Sequence, residues 1–214
     1  MPNSLCYKIS PVTAYAQNSS LLWCNNTRQA AIVDPGGDLD KLLGNVEQQG
    51  VKLVKILLTH GHIDHVGFTA RLAEETGLPI IGPHQDDTFL LQSLDEYGSM
   101  LGLPHSGNFL PDKWLEDGDT VTLGDQILDV IHCPGHTPGH VVFYHAPSQL
   151  AVVGDVLFQH GIGRTDFPRG KHADLLHSIK HKLLPLGDEI EFIPGHGPNS
   201  TFGEERRHNP FLQT

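Results

Sequence analysis

Short apolar runs separated by turn-forming residues dominate the first third of the chain. Leu5 to Ile9, Ser20 to Cys24 and Ala30 to Val33 read as strands, broken by Asn25-Asn26 and closed by Pro35-Gly36-Gly37. Leu39, Leu42, Leu43 and Val46 then recur at helical spacing, predicting a helix capped by Asp38 that runs to about Gln49 and ends at Gly50. Leu53 to Leu58 is apolar except for one Lys, the pattern of a strand buried on both faces. A helix from about Phe68 to Thr76 closed by Gly77, a short strand Pro79 to Ile81, a helical region between about Gln85 and Leu101, and a loop from Gly102 to Lys113 follow.

The second half is richer in strands. Thr120 to Leu123 and Gln126 to Ile131 flank Gly124-Asp125, a hairpin signal. Val141 to Tyr144 and Leu150 to Val153 are further strands, Ala173 to Leu184 an amphipathic helix, and Glu189 to Ile193 a final strand. Neither a linker nor a repeated motif interrupts the pattern, so one domain over residues 1–214 is expected. Both halves run from strands to helices, which suits an α/β architecture of two sheets packed face to face with helices outside.

Composition narrows the function. Hydrophobic residues are 38% and charged residues 18% of the chain, a globular balance. The net charge of -11 lacks the clustered Lys and Arg that nucleic-acid binding requires, so no nucleic-acid partner is expected, although a small anionic metabolite is compatible. No stretch approaches a membrane span, and the start MPNSLCYKIS has no basic region followed by an apolar one; no membrane association and a cytoplasmic location are expected. Cys6, Cys24 and Cys133 are odd in number and widely spaced, so they read as buried or incidental thiols, with Cys133 facing the core.

Histidine is the anomaly, at fifteen residues. His84, His105, His145, His172, His177, His181 and His208 stand alone and read as surface or hydrogen-bonded residues. The others include four segments of one design, ILLTHGHIDH, DVIHCPGH, AVVGD and EFIPGH, in which an apolar strand runs into a Gly-flanked turn bearing a metal-type ligand. Gly61, Gly135, Gly154 and Gly195 sit beside His60, His136, Asp155 and His196, letting the backbone turn close to an ion. If these strands lie side by side, the ligands converge at one sheet edge. His60 and His62 can point the same way from extended chain, with Asp64 and His65 on the next turn. The ligand set is therefore His60, His62, Asp64, His65, His136, Asp155 and His196, enough for two divalent ions. Imidazole and carboxylate without thiolate fit zinc, and also iron or manganese. Two such ions activate water near neutral pH, so no Ser or Cys nucleophile is needed, and Asp64 is the candidate catalytic carboxylate.

HGHIDH, His136 in PGHTPGH, Asp155 in GD and His196 in PGH resemble the metallo-β-lactamase superfamily over nearly the whole chain. The resemblance implies an αββα four-layer sandwich, with His60, His62 and His136 on one ion, Asp64, His65 and His196 on the other, and Asp155 bridging. Within the superfamily, GHTPGHVVF, GIGRTDFPRG and IPGHGP are similar to the short single-domain bacterial type II glyoxalases. That implies hydrolysis of a glutathione thioester such as S-D-lactoylglutathione to D-lactate and glutathione by a metal-bridging hydroxide. Only eighteen residues follow His196, and Gly197-Pro198 stand where longer relatives present a tyrosine, so no C-terminal glutathione-binding helical domain is expected. Arg164 matches the basic residue that relatives place near the glutathione carboxylate; pairing with Asp166 at the surface is its other reading. Gly163 to Phe167 is also similar to persulfide dioxygenases, which use one iron, and the same centre would suit an ester or lactone hydrolase.

Overall fold

The computed structural model describes residues 4–213; the outermost residues of the expected domain, 1–3 and 214, lie outside it. In chain order the strands are β1 (Leu5–Val12), β2 (Gln17–Cys24), β3 (Gln29–Val33), β4 (Lys52–Leu57), β5 (Ile80–Ile81), β6 (Thr120–Leu123), β7 (Gln126–His132), β8 (Val141–His145), β9 (Leu150–Gly154), β10 (Leu157–Phe158), β11 (Gly161–Ile162), β12 (Glu191–Pro194) and β13 (Ser200–Thr201). The helices are α1 (Leu39–Gln49), α2 (Ile63–Val66), α3 (Thr69–Thr76), α4 (Thr88–Leu91), α5 (Leu94–Leu101), α6 (His172–Ser178) and α7 (Phe202–His208). β1 to β5 form one sheet in sequence order, antiparallel through β3 and parallel beyond it. The other has the order β13-β12-β9-β8-β7-β6, with β12 and β9 parallel and its other pairs antiparallel.

Three apolar layers hold the sandwich together. Leu22, Val33 and Leu57 of the first sheet meet Val130, Phe143 and Ile193 of the second in the central layer. Leu39, Leu42 and Leu72 from α1 and α3 cover the outer face of the first sheet. Leu175, Ile179 and Phe202 cover that of the second, where Cys133 is buried as expected. This is the αββα arrangement of two mixed sheets. No helix among the described residues is long and apolar enough to cross a membrane.

Several local expectations need correction. β4 is fully buried only at Ile56 and Leu57, because the two-residue β5 pairs with just those positions and leaves Lys52 to Lys55 at an edge. Asp38 adopts a left-handed backbone and makes no side-chain cap; its carboxylate accepts instead from the Thr13 N–H at 3.2 Å. The expected helical region Gln85 to Leu101 is a 3-10 turn followed by two separate helices, and the helix after Lys171 widens into a π turn at Ile179–Leu183. α2 and α7 were not anticipated, although Thr201 and Glu204 carry a capping signal that forms: the Thr201 hydroxyl accepts from the Glu204 N–H at 3.1 Å.

Phe143 is 1% exposed within the central layer. Phe143→Ala is expected to cost about 3–5 kcal/mol, lowering the urea midpoint at an unchanged slope. Ile127→Thr on the exposed side of β7 should change stability by less than about 0.5 kcal/mol in the same measurement.

Candidate metal centre

All seven residues singled out in the sequence meet at one end of the sandwich. His60 and His62 leave the C-terminal end of β4, α2 carries Asp64 and His65, and His136, Asp155 and His196 follow β7, β9 and β12. Of the four strands only β9 and β12 are neighbours: β4 belongs to the first sheet and the other three to the second, with antiparallel β8 between β7 and β9. The seven side chains thus converge across the sandwich, from both sheets. Such convergence needs close backbone approach. A Cβ on Gly195 would lie 2.0 Å from Asp155 Oδ1 and 2.6 Å from His65 Cε1, and one on Gly36 only 1.6 Å from the Asp64 carbonyl oxygen.

The side chains form two triads. His62 Nδ1 stands 3.1 Å from His60 Nε2 and 2.9 Å from His136 Nε2. Asp64 Oδ2 stands 3.2 Å from His196 Nε2 and 3.8 Å from His65 Nε2. Asp155 lies between the triads, with Oδ1 3.3 Å from His65 Nε2 and Oδ2 3.5 Å from His136 Nε2 and 3.8 Å from His196 Nε2.

The outer nitrogens of these rings decide what the inner ones can do. His136 Nδ1 lies 2.7 Å from the Arg164 carbonyl oxygen and His196 Nδ1 3.1 Å from that of Tyr15; each must donate its proton there. His60 Nδ1 faces the Thr59 hydroxyl at 3.0 Å, whose own proton goes to Asp34 Oδ2 at 2.6 Å, so His60 donates too. Neutral His60 and His136 therefore aim bare Nε2 lone pairs at His62 Nδ1. That atom carries at most one proton, so at least one of its two short contacts sets lone pair against lone pair. A bound cation relieves this, and outer-nitrogen anchoring of this kind is how proteins orient metal-binding histidines. Beside the second triad, the buried His65 Nε2 and Asp155 Oδ1 face each other at 3.3 Å and have no other hydrogen-bond partner, again leaving donor atoms for an ion.

The charges divide in the same way. Burial, reinforced by neighbouring imidazoles, drives His60 well below the ordinary histidine range and His62 down to about 3; burial lowers His136 as well. Burial also opposes charge on His65, but Asp155 and Asp64 outweigh it and hold this histidine well above its usual value. Asp155 and Asp64 are held below the carboxylate range, since His65 overcomes the penalty of burying them.

Three supporting residues escaped the sequence reading. Asp34 accepts from the Thr59 N–H at 2.8 Å and from His65 Nδ1 at 2.9 Å, tying the ends of β3 and β4 to α2. Its segment, AAIVDPGG, has the same strand-to-glycine-turn design as the ligand segments. His140 is fully buried, stacks on His60 at 4.6 Å, and its Nε2 accepts from the Asp155 N–H at 3.1 Å. Asp87 clamps the two loops of the histidine triad by accepting from Gly61 N–H at 2.9 Å, Thr137 Oγ1 at 2.8 Å and Gly139 N–H at 2.6 Å; burial pushes its carboxyl up to about 6. Asp86-Asp87 gave no sign of this in the sequence, because its partners lie far away in the chain.

A cleft of about 750 Å³ opens over the centre. Arg164 lines it, with its guanidinium in a two-pronged pair with Asp166 at 2.7 and 3.0 Å and lying over the Phe167 ring at 4.7 Å. Of the histidines expected to stand apart, His172, His177, His181 and His208 are exposed, His105 bonds to Asp95, and buried His84 bonds to Glu116. His145 departs from that expectation: it is buried and its Nδ1 is unpartnered.

A family model described as the metallo-beta-lactamase superfamily matches residues 12–196. Hydroxyacylglutathione hydrolase GloC of Haemophilus influenzae is 47% identical over 208 residues, which cover 97% of this chain and 98% of that protein. The structure of TTHA1623 in a di-iron-bound form matches at a TM-score of 0.87 and 36% identity, covering 96% of this chain and all of that one. The BLEG-1 B3 metallo-beta-lactamase matches at 0.89 and 34%, covering 98% of this chain and all of that one.

Gly195→Ala tests the convergence. Its methyl group would displace the Asp155 carboxylate, so elemental analysis after purification without chelators should find less than about half the wild-type metal, with the far-ultraviolet circular dichroism unchanged. Undiminished metal would show that this close approach is not needed.

Proposed function

Because the chain belongs to the metallo-beta-lactamase superfamily and is a metallo-hydrolase, we propose that it hydrolyses glutathione thioesters of the S-D-lactoylglutathione type. The observation that carries this reading is the position of Asp155 between two complete triads at the floor of the cleft. His60, His62 and His136 would hold one divalent ion, Asp64, His65 and His196 the other, and Asp155 both. Zinc, iron and manganese all suit these donors. Bound there, the ions supply Lewis acidity and lower the pKa of water.

The chain's own groups do the rest. Asp64 lines the cleft, and its carboxylate orients the attacking water by accepting a hydrogen bond. A thioester suits this arrangement better than an amide, because a thiol with a pKa of about 8.5 departs as thiolate without a strong acid. Arg164 is the only arginine or lysine among the described residues lining the cleft, which makes it the partner for a glutathione carboxylate. The likeness to GloC over nearly the full length of both chains supports a glutathione-derived substrate.

The test is a steady-state assay on S-D-lactoylglutathione, run beside an oxygen-uptake assay on glutathione persulfide. Thioester hydrolysis without oxygen uptake is expected; the reverse pattern would favour the dioxygenase reading of Gly163 to Phe167. In the thioester assay, Asp64→Asn should lower turnover by at least about 10²-fold in a folded protein. Near-normal turnover would remove Asp64 from the chemistry.

Arg164→Ala keeps the carbonyl that anchors His136 and removes only the guanidinium. KM for S-D-lactoylglutathione should rise about tenfold, a moderate effect because the unsubstituted Arg164 must give up Asp166 to meet the substrate, while kcat changes little. An unchanged KM would return Arg164 to a surface pair with Asp166.

A further inference from the structure

The walls of the cleft are far more apolar than a hydroxylated three-carbon acyl group requires. Its volume of about 750 Å³ falls in the range that holds a drug-sized ligand. Leu94, Tyr97 and Leu101 recur at intervals of three and four along α5 and line one wall beside Leu90 of α4, with Met100 at the mouth. Phe158, Ile162 and Phe167 line it as well. Apart from the ligand residues, the lining side chains with amide or charged groups are Gln159 and Arg164.

Exposure points to the same place. Met100 is 68% and Leu101 49% exposed, and with Tyr15 they make three of the six large hydrophobic residues most exposed on the described surface. All three line this cleft. Single exposed apolar residues are ordinary, whereas several gathered at the rim of a catalytic cleft mark a ligand surface.

We infer that the acyl arm of the substrate is an unbranched apolar chain several carbons long, laid along α5 from the metal floor to Met100 and Leu101. This rests on the thioester reading above and extends its substrates from short hydroxyacyl to medium-chain acyl thioesters of glutathione, with the longer arm bound better. The reaction balances with water alone: the acyl C–S bond breaks, a C–O bond to the water oxygen forms, and the products are a carboxylic acid and a thiol. Each methylene buried on the wall contributes up to about fourfold.

The test compares S-octanoylglutathione with S-D-lactoylglutathione on the metal-loaded enzyme, and also measures by calorimetry the binding of the non-hydrolysable S-octylglutathione and S-methylglutathione. The octanoyl substrate should exceed the lactoyl one in kcat/KM by at least about tenfold, and the octyl thioether should bind at least about tenfold tighter than the methyl one. M100Q/L101Q should reduce both ratios by about tenfold, whereas L110Q, an exposed leucine away from the cleft, should leave both unchanged. Equal kcat/KM for the two substrates, or ratios that survive M100Q/L101Q, overturn the inference. Chain-length-dependent binding without hydrolysis of either thioester would leave the apolar arm standing and defeat the thioesterase reading instead. If M100Q/L101Q abolishes self-association in analytical ultracentrifugation while both ratios persist, the patch is an interface between copies and the inference fails.

Discussion

His60 and His136 turn bare imidazole nitrogens on His62 at 3.1 and 2.9 Å, at the end of the sandwich beneath the cleft. Each ring is locked in that orientation by an outer hydrogen bond to an oxygen that cannot be given up cheaply: a threonine hydroxyl committed to Asp34 and the Arg164 main-chain carbonyl. The arrangement is therefore set up for a positive charge at the point where the lone pairs meet. Asp155 lies between this half and the other, where Asp64 stands beside His65 and His196, so the two triads differ in character: neutral imidazoles on one side, and histidines paired with a carboxylate on the other.

Holding such a centre requires both sheets. β4 brings the histidine loop from the first sheet, while β7, β9 and β12 bring His136, Asp155 and His196 from the second, and the apolar layer between the sheets fixes their separation. Two buried carboxylates then fasten the loops. Asp34 joins β3, β4 and α2; Asp87 joins the Gly61 turn to the Thr137–Gly139 turn across the interface. Buried carboxylates are tolerated only when well bonded, and each of these accepts at least three hydrogen bonds. The absence of a Cβ at Gly195 and Gly36 supplies the remaining closeness.

Much of this was legible in the sequence, for physical reasons. A ligand placed just after an apolar strand leaves a local signature, and HGHIDH, PGH, GD and PGH together named all seven converging residues. The four-layer fold followed from the family resemblance those motifs carry. Partners made only in three dimensions left no such mark. Asp87, His140 and Asp34 were not singled out in the sequence, although the last shares the strand-to-glycine-turn design. β4 misled because an apolar run reports what the residues tolerate, and the brevity of its neighbour β5 decides how much of it is covered. The cleft wall was equally hidden: α4 and α5 were read as one helical region, and only their packing beside the centre gives Leu94 and Leu101 a functional meaning.

The proposed centre binds two ions bridged by Asp155. Its most direct test is anomalous diffraction, at the absorption edge of the metal, from crystals of the metal-saturated protein. Two peaks are predicted, one within coordination distance of His60, His62 and His136 and the other of Asp64, His65 and His196, with Asp155 reaching both. A single peak in saturated crystals, with His65 and Asp64 unligated, would contradict the account.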